Sequence, residues 1–296
     1  MKSILTALAL LLTTLPAWGW NAAGHRLVAA IAWRQMSPIA QHRVTDLLQI
    51  HPDYRKWTAK AGDNPGYTAF LEASTWPDDI RKDRRFHDEG REAPTPPFPG
   101  MADTARHKDW HYVDQFSNKV RDGELDHQLE RLTRLLRNPG TPPAERAYAL
   151  PWLIHLLADI HQPLHVGSRD DGGGNRFEIE NPFNRRLPFT NLHTWWDDLP
   201  GPPWLRGPRL ERAADALLAS QPKPPRQGSL ALWEKESREL SRETAYPAAT
   251  GSLLPAITAD FAARSQAVAN QRLATAGYRL GRLLEGTFGQ VSRETE

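Results

Sequence analysis

HLLADIHQPLH, residues 155–165, is the stretch from which this chain is best read. His155 and Asp159 stand four apart, a spacing that puts two side chains on one face of an α-helix. Pro163 then interrupts the helical pattern and turns the chain, so that His165 can return to the same place. NLHTWWDD, residues 191–198, repeats the arrangement with His193 and Asp197. Imidazole nitrogen and carboxylate oxygen are the ligands zinc takes where cysteine is absent, and this chain has no cysteine. One His–Asp pair at this spacing is ordinarily a surface hydrogen bond. Two pairs and a further histidine, in a chain with no other nucleophile motif, point to metal.

Outward from that stretch the chain reads as mainly α. Thr141-Pro142 opens the helix that carries His155 and Asp159 and runs to about Ile160. The segment from Asp122 to Arg137 is amphipathic, with Leu125, Leu129, Leu132, Leu135 and Leu136 on one stripe. Gly24 to Met36 has helical spacing. Ser37-Pro38 supplies an N-cap and a first-turn proline for a helix to about Gln49. Later helices are expected near 208–220, 229–243 and 253–285. DGGGN (171–175) is a turn, RFEIE after it one strand of a small β-hairpin, and EAPTPPFPG (92–100) a proline-rich loop. No internal repeat and no linker divides the chain.

Charge is nearly balanced, with 37 Lys+Arg against 35 Asp+Glu. There is no basic tail, so any contact with nucleic acid must be local. The 11 tryptophans are read mostly as core or pocket walls. At the start, Lys2, the apolar run Ile4–Leu15 and Ala17-Trp18-Gly19 form the pattern of a cleavable signal peptide. The run is shorter than the ~20 apolar residues a membrane span takes. The expected organisation is a signal peptide over 1–19 and one domain over 20–296, exported to the periplasm or secreted, with no membrane span and as a monomer.

Three further segments carry chemistry: WNAAGH with His25, ASTWPDDIR with Asp78 and Arg81, and KDWHYVDQ with His111, Tyr112 and Asp114. With the two metal segments, and with LWEKES (232–237), they resemble in order and local spacing the three-zinc, single-strand-specific nucleases of the mung bean nuclease type. The resemblance runs from Trp20 through Asp197 and again over 232–237. The stretch between Asp78 and His111 is longer than that pattern, and the cysteines of eukaryotic members are missing. Neither departure touches a matched ligand.

The resemblance implies a single multi-helix domain with a small β-hairpin, the architecture shared with zinc phospholipase C, and three zinc ions. It assigns one zinc to Asp78, His111, His155 and Asp159, and a second to His165, His193 and Asp197. The third would take His25, Asp159 as a bridge, and the backbone amine and carbonyl of the first mature residue, which matches Trp20. An α-amine titrates near ~8 and binds metal only when deprotonated, so cleavage after Gly19 would create a ligand. The implied activity is hydrolysis of phosphodiester bonds in single-stranded DNA and RNA to 5′-phosphate products, with 3′-nucleotidase activity on nucleotides. Arg81 and Asp159 are its expected catalytic residues, Arg81 holding charge on the phosphoryl oxygens. Tyr112 would stack a base, Asp114 would hydrogen-bond it, and Lys119 would face the phosphate chain. Asn175 and Asn191 are read as orienting loops or ligands.

His161 lies inside the metal segment but matches no ligand and is read as satisfied or solvated. His42, His51, His87, His107 and His127 have no partners in the pattern. The nearest alternative is a zinc phospholipase C. Its last ligand pair is His-x3-Glu, against His193-x3-Asp197 here. A non-catalytic zinc-binding protein would need neither Arg81 nor a base platform.

Overall fold

The computed structural model describes residues 19–59, 61–116, 120–226, 228–249 and 253–289. The signal-peptide reading, but for Gly19, and the reading of Lys119 fall outside them. The described residues form eleven α-helices and two small hairpins.

Helix α1 (Ala22–Trp33) is capped by the Asn21 side chain, which accepts from Ala23 N and Gly24 N. Pro38 opens α2 (Pro38–Ile50), and Ser37 caps it. Short helices α3 (Tyr54–Thr58), α4 (Pro65–Ala73) and α5 (Trp76–Asp79) follow, and a 3-10 turn, Ile80–Lys82, continues from α5. Helices α6 (Leu125–Arg137) and α7 (Pro143–Asp159) pack against each other. Leu125, Leu129, Leu132 and Leu136 of the α6 stripe are fully buried. Helix α8 (Leu192–Asp197) is a short ligand-bearing turn. Helices α9 (Gly207–Ser220), α10 (Leu230–Glu243) and α11 (Ala259–Phe288) complete the domain.

The two hairpins pair β1 (Asp114–Gln115) with β2 (Arg121–Asp122) and β3 (Glu178–Glu180) with β4 (Phe189–Asn191), both antiparallel. The first changes an expectation. Asp122 does not start α6; it pairs with Asp114 across the hairpin, and the helix begins at Leu125. Gly123 turns the chain between them at φ +84, where a Cβ would run into the carbonyl of Tyr112. The last helix likewise begins later than expected, at Ala259, where Thr258 accepts from Phe261 N.

The core gathers around α1 and α7, which are buried on nearly every side. Helix α11 lies across α1 at close range. A Cβ at Gly277 would stand 2.5 Å from Ile31 Cβ, and one at Gly281 2.6 Å from Gln35 Cβ. Eight tryptophans, among them Trp152 of α7 with Trp76 and Trp110 packed on it, are buried; Trp204 is exposed. The proline-rich loop packs Phe98 edge-on to Phe86. No helix among the described residues is long and apolar enough to cross a membrane.

Candidate metal centre

Six elements converge on one buried spot. Helix α1 brings His25, α5 brings Asp78, and the 3-10 turn Lys108–His111 brings His111. His155 and Asp159 come from the end of α7, His165 from the turn after it, and His193 and Asp197 from α8. All eight side chains are buried. They form three groups, the first two sharing His155: His25, Asp78 and His155; His111, His155 and Asp159; and His165, His193 and Asp197. Within each group the ligand atoms lie within 4.8 Å of one another. The last group brings His165, His193 and Asp197 together without any residue of the other two. His25 faces Asp159 as expected, at 3.4 Å from Oδ1, but it also joins Asp78 and His155, so five residues form one continuous cluster.

The hydrogen bonds fix which ring nitrogens face inward. His155 Nδ1 donates to Ser74 O (2.8 Å), and His193 Nδ1 donates to Gly173 O (2.6 Å). His165 Nδ1 donates to His111 O. Each ring therefore turns a lone pair on Nε2 to the centre. His165 Nε2 and His193 Nε2 lie 3.1 Å apart, and Asp197 Oδ2 lies 3.5 Å from the latter. His155 Nε2 lies 3.0 Å from His111 Nδ1 and 3.2 Å from Asp159 Oδ2. The facing Nε2 lone pairs of His165 and His193 repel unless a cation lies between them. Both nitrogens of His25, Nε2 of His111, and Oδ1 of Asp78 and of Asp159 are buried without a hydrogen bond. Imidazoles anchored through Nδ1 to backbone carbonyls are how metal-binding histidines are ordinarily oriented. The donor set fits zinc.

Burial and the cluster's own charges shift the protonation equilibria in both directions. Burial, with the charge of Arg81 acting on His111, pushes His25 and His111 well below the usual imidazole range. Burial also pushes His155 down, but Asp159 and Asp78 outweigh it and carry it up. Burial opposes ionisation of Asp159, yet the charges of His155 and His165 hold it well below the carboxylate range. Burial raises Asp197, although Gln162 Nε2 donates to its Oδ1 at 2.8 Å.

Arg81 extends from the 3-10 turn, with Nε 3.4 Å from Asp78 Oδ1. The start of the described chain lies on the same centre. A Cβ on Gly19 would run into Asp159 Oδ1 and stand 3.1 Å from His25 Nε2. Trp20 is fully buried, and Asn21 N donates to Asp197 O at 3.1 Å.

Beside the metal ligands lie Tyr112 and Asp114. Tyr112 is half-buried and its hydroxyl donates to Asp122 (3.2 Å). Asp114 is buried and accepts from Gly167 N at 2.8 Å; burial raises its carboxyl to about 7. Asn175 donates within its own turn to Gly172 O, and Asn191 caps α8 by accepting from Thr194 N. Asp198 turns away from the centre and accepts from Asn21 Nδ2 (3.0 Å).

His161 has both ring nitrogens engaged, Nδ1 donating to Leu157 O and Nε2 accepting from Arg279. It belongs to a brace that motif reading did not assign. Glu236 binds Arg272 and Arg279, Arg272 donates to His161 O and Ser237 Oγ, and Ser237 donates to Ile160 O. These bonds hold the turn between Asp159 and His165. Glu236 and Ser237 sit in LWEKES, the only trace of the brace in the sequence pattern. Gln162, Ser74 and Gly173 were also missed. At Gly173, φ is +60 and a Cβ would collide with Leu164 O, so glycine leaves room for the carbonyl that orients His193.

A family model described as S1/P1 Nuclease matches residues 20–289. Among curated proteins, Endonuclease 1 of Arabidopsis thaliana is 28% identical over 182 residues, 60% of this chain and 52% of its own. Endonuclease 4 of the same plant is 49% identical over 51 residues, 17% of this chain and 16% of its own. Nuclease S1 of Aspergillus oryzae is 24% identical over 193 residues, 61% of this chain and 54% of its own. The two longer matches span about half the length of those relatives.

Proposed function

Because the chain belongs to the S1/P1 nuclease family, we propose that it is an exported zinc-dependent endonuclease. It hydrolyses phosphodiester bonds of single-stranded DNA and RNA to 5′-phosphate products, and removes the phosphate of 3′-nucleotides at the same site. The observation that carries this reading is the convergence of eight buried histidines and aspartates on one spot, with Nε2 of His155, His165 and His193 turned inward. Three zinc ions fit it: one with Asp78, His111, His155 and Asp159, one with His165, His193 and Asp197, and one with His25, Asp159 and the freed backbone end of Trp20. The place of Gly19 against His25 and Asp159 supports the last of these.

Zinc, when bound, supplies Lewis acidity, bringing the ionisation of water from 15.7 toward ~7 and neutralising charge on phosphoryl oxygens. The chain's own residues do the rest. Arg81 presents a planar, permanently charged fork to the non-bridging oxygens, where charge grows in the transition state. Tyr112 offers a ring face to a base, and Asp114 accepts a hydrogen bond from its edge. Stacking of this kind tolerates any base but needs one out of its duplex, which accounts for single-strand preference. Asp159 orients two ligand groups through one carboxylate.

The test is digestion of matched single- and double-stranded DNA and RNA, with metal analysis of the same sample. The expected result is cleavage of single strands, sparing of duplex, loss of activity on chelation and its return with zinc. A zinc-loaded protein that hydrolyses phosphatidylcholine and leaves nucleic acid intact would overturn the reading in favour of a phospholipase C.

A further inference from the structure

Behind the metal segment, α6, α10, α11 and the loop after α9 line an open cavity of about 200 Å³, with Arg137 and Arg226 exposed at its mouth. Four arginines line it: Arg137 from the last turn of α6, Arg226 from the loop, and Arg279 and Arg282 from α11. No carboxylate is among the lining residues. Arg279 is already neutralised, its two terminal nitrogens donating to Glu236 at 2.7 and 2.8 Å. Arg282 donates instead to the carbonyls of Pro225 (2.7 Å) and Pro224 (2.9 Å), so its charge is oriented but uncompensated. Arg137 and Arg226 have no ion pair among the described residues.

A second observation points into the same space. Trp233 lines the cavity, is more than nine-tenths buried, and has no hydrogen-bond partner for Nε1. A buried N–H left unpaired costs free energy that a ligand acceptor would recover. Gly228 also lines the cavity, and a Cβ there would stand 2.8 Å from that nitrogen, so glycine keeps the donor uncovered. Guanidinium and indole N–H groups only donate. The cavity is therefore complementary to a compact group that only accepts and carries negative charge, and the guanidinium fork suits phosphate oxygens.

We propose that this cavity is a phosphate-binding site separate from the metal centre. Its ligand is a phosphate group, free or carried by a nucleotide or a nucleic-acid strand. The site does not depend on the nuclease reading, because none of its residues is a metal ligand or touches the base platform. It does meet the metal segment through Arg279, which donates to His161 Nε2 at 3.0 Å.

Calorimetric titration of the zinc-loaded protein with inorganic phosphate tests the proposal, alongside crystals soaked in selenate, a tetrahedral oxyanion with its own anomalous signal. Phosphate at the metal centre gives one binding step; the cavity adds another. Arg137→Gln removes an uncompensated charge, and Gly228→Ala covers the indole N–H. Each should weaken the added step by about tenfold or more, the effect of losing one charge-assisted hydrogen bond. Zinc content and the metal-centre step should stay unchanged in both variants. Selenate should appear beside Trp233 Nε1. Parallel titrations with a 5′-mononucleotide and a phosphorothioate dinucleotide identify the source by whichever binds most tightly. A single binding step, identical in wild type and both variants, with no selenate in the cavity, overturns the proposal.

Discussion

The two halves of the metal centre are built differently. At His165 and His193 both rings are anchored through Nδ1 to backbone carbonyls, and Asp197 is held by Gln162. In the other half His155 is anchored to Ser74 O, but His25 has no hydrogen bond on either nitrogen and rests by stacking on His155, with centroids 3.8 Å apart. The first half is oriented by the fold itself. The second leaves His25 without such an anchor, on the side where Gly19 approaches it and where the proposed mature chain end would complete the site. Ligands held by backbone carbonyls are preorganised; a ring held only by stacking takes its final place when its partners arrive.

The strongest way to break this contrast is Asp159→Asn. One carboxylate reaches both groups of the larger cluster. Losing a residue that merely supports a ligand costs ~10–100-fold in metal affinity or activity, so losing a shared ligand should lower turnover by about 1000-fold. Metal analysis should show zinc lost from the larger cluster while the His165–His193–Asp197 site stays loaded. Full activity with three zincs would refute the assignment. Next in size is one residue retained before Trp20. It turns the terminal amine into an amide, so the protein should lose one zinc and roughly 100-fold in activity. Trimming with an aminopeptidase and adding zinc should restore both. Three zincs and mature activity in the extended protein would show that His25 needs no chain end.

Arg81→Ala should disturb neither half. Its turnover should fall by ~10²–10³, the usual cost of one transition-state donor, with zinc content unchanged. Zinc loss equal to the activity loss would recast Arg81 as support for Asp78. Smaller still is Tyr112→Ala, which should raise KM by the ~1–3 kcal/mol of one stacked base and leave kcat near its original value. Unchanged kinetics on short oligonucleotides would leave the tyrosine a packing residue.

The smallest effect is on pH dependence. Burial raises the Asp114 carboxyl to about 7, so between about pH 4 and 7 the folded protein keeps a proton that the unfolded chain has released. Stability from this group is therefore present at low pH and lost as pH rises through that window. Asp114→Asn removes the dependence. Melting temperatures at pH 4.5 and 7.5 should show the wild type losing ground to the variant at the higher pH; a constant gap would contradict it.

Much of the site was legible because its ligands come in helical pairs. His155–Asp159 and His193–Asp197 keep the i, i+4 spacing in the structure. The long helices were legible for the same reason, since the leucine stripe of α6 survives intact apart from the partly buried Leu135. The short helices α3, α4 and α5 were not, being too brief to show a period. Asp122 misled because an acidic residue before an apolar stripe reads as a helix start, while its strand pairing with Asp114 depends on a partner that local pattern does not reveal. The carbonyls of Ser74, His111 and Gly173 left no trace, because a backbone oxygen has no residue type. The Glu236–Arg279 bond joins residues 43 apart in sequence, and only the fold brings them together.

The crossing of α11 over α1 has a consequence for synthesis. Every proposed ligand lies between residues 20 and 197, yet much of the surface that α1 lies against is formed by residues 259–288. A chain still on the ribosome can have all its proposed ligands outside the exit tunnel and lack the helix that packs on Ile31 and Gln35 of α1, the helix that carries His25. Domains generally fold as units; here the unit cannot close until nearly its last turn of helix has emerged. A growing chain thus passes through a long stage in which its histidines are exposed and its centre unformed, and a C-terminal truncation that removes no ligand would leave it there.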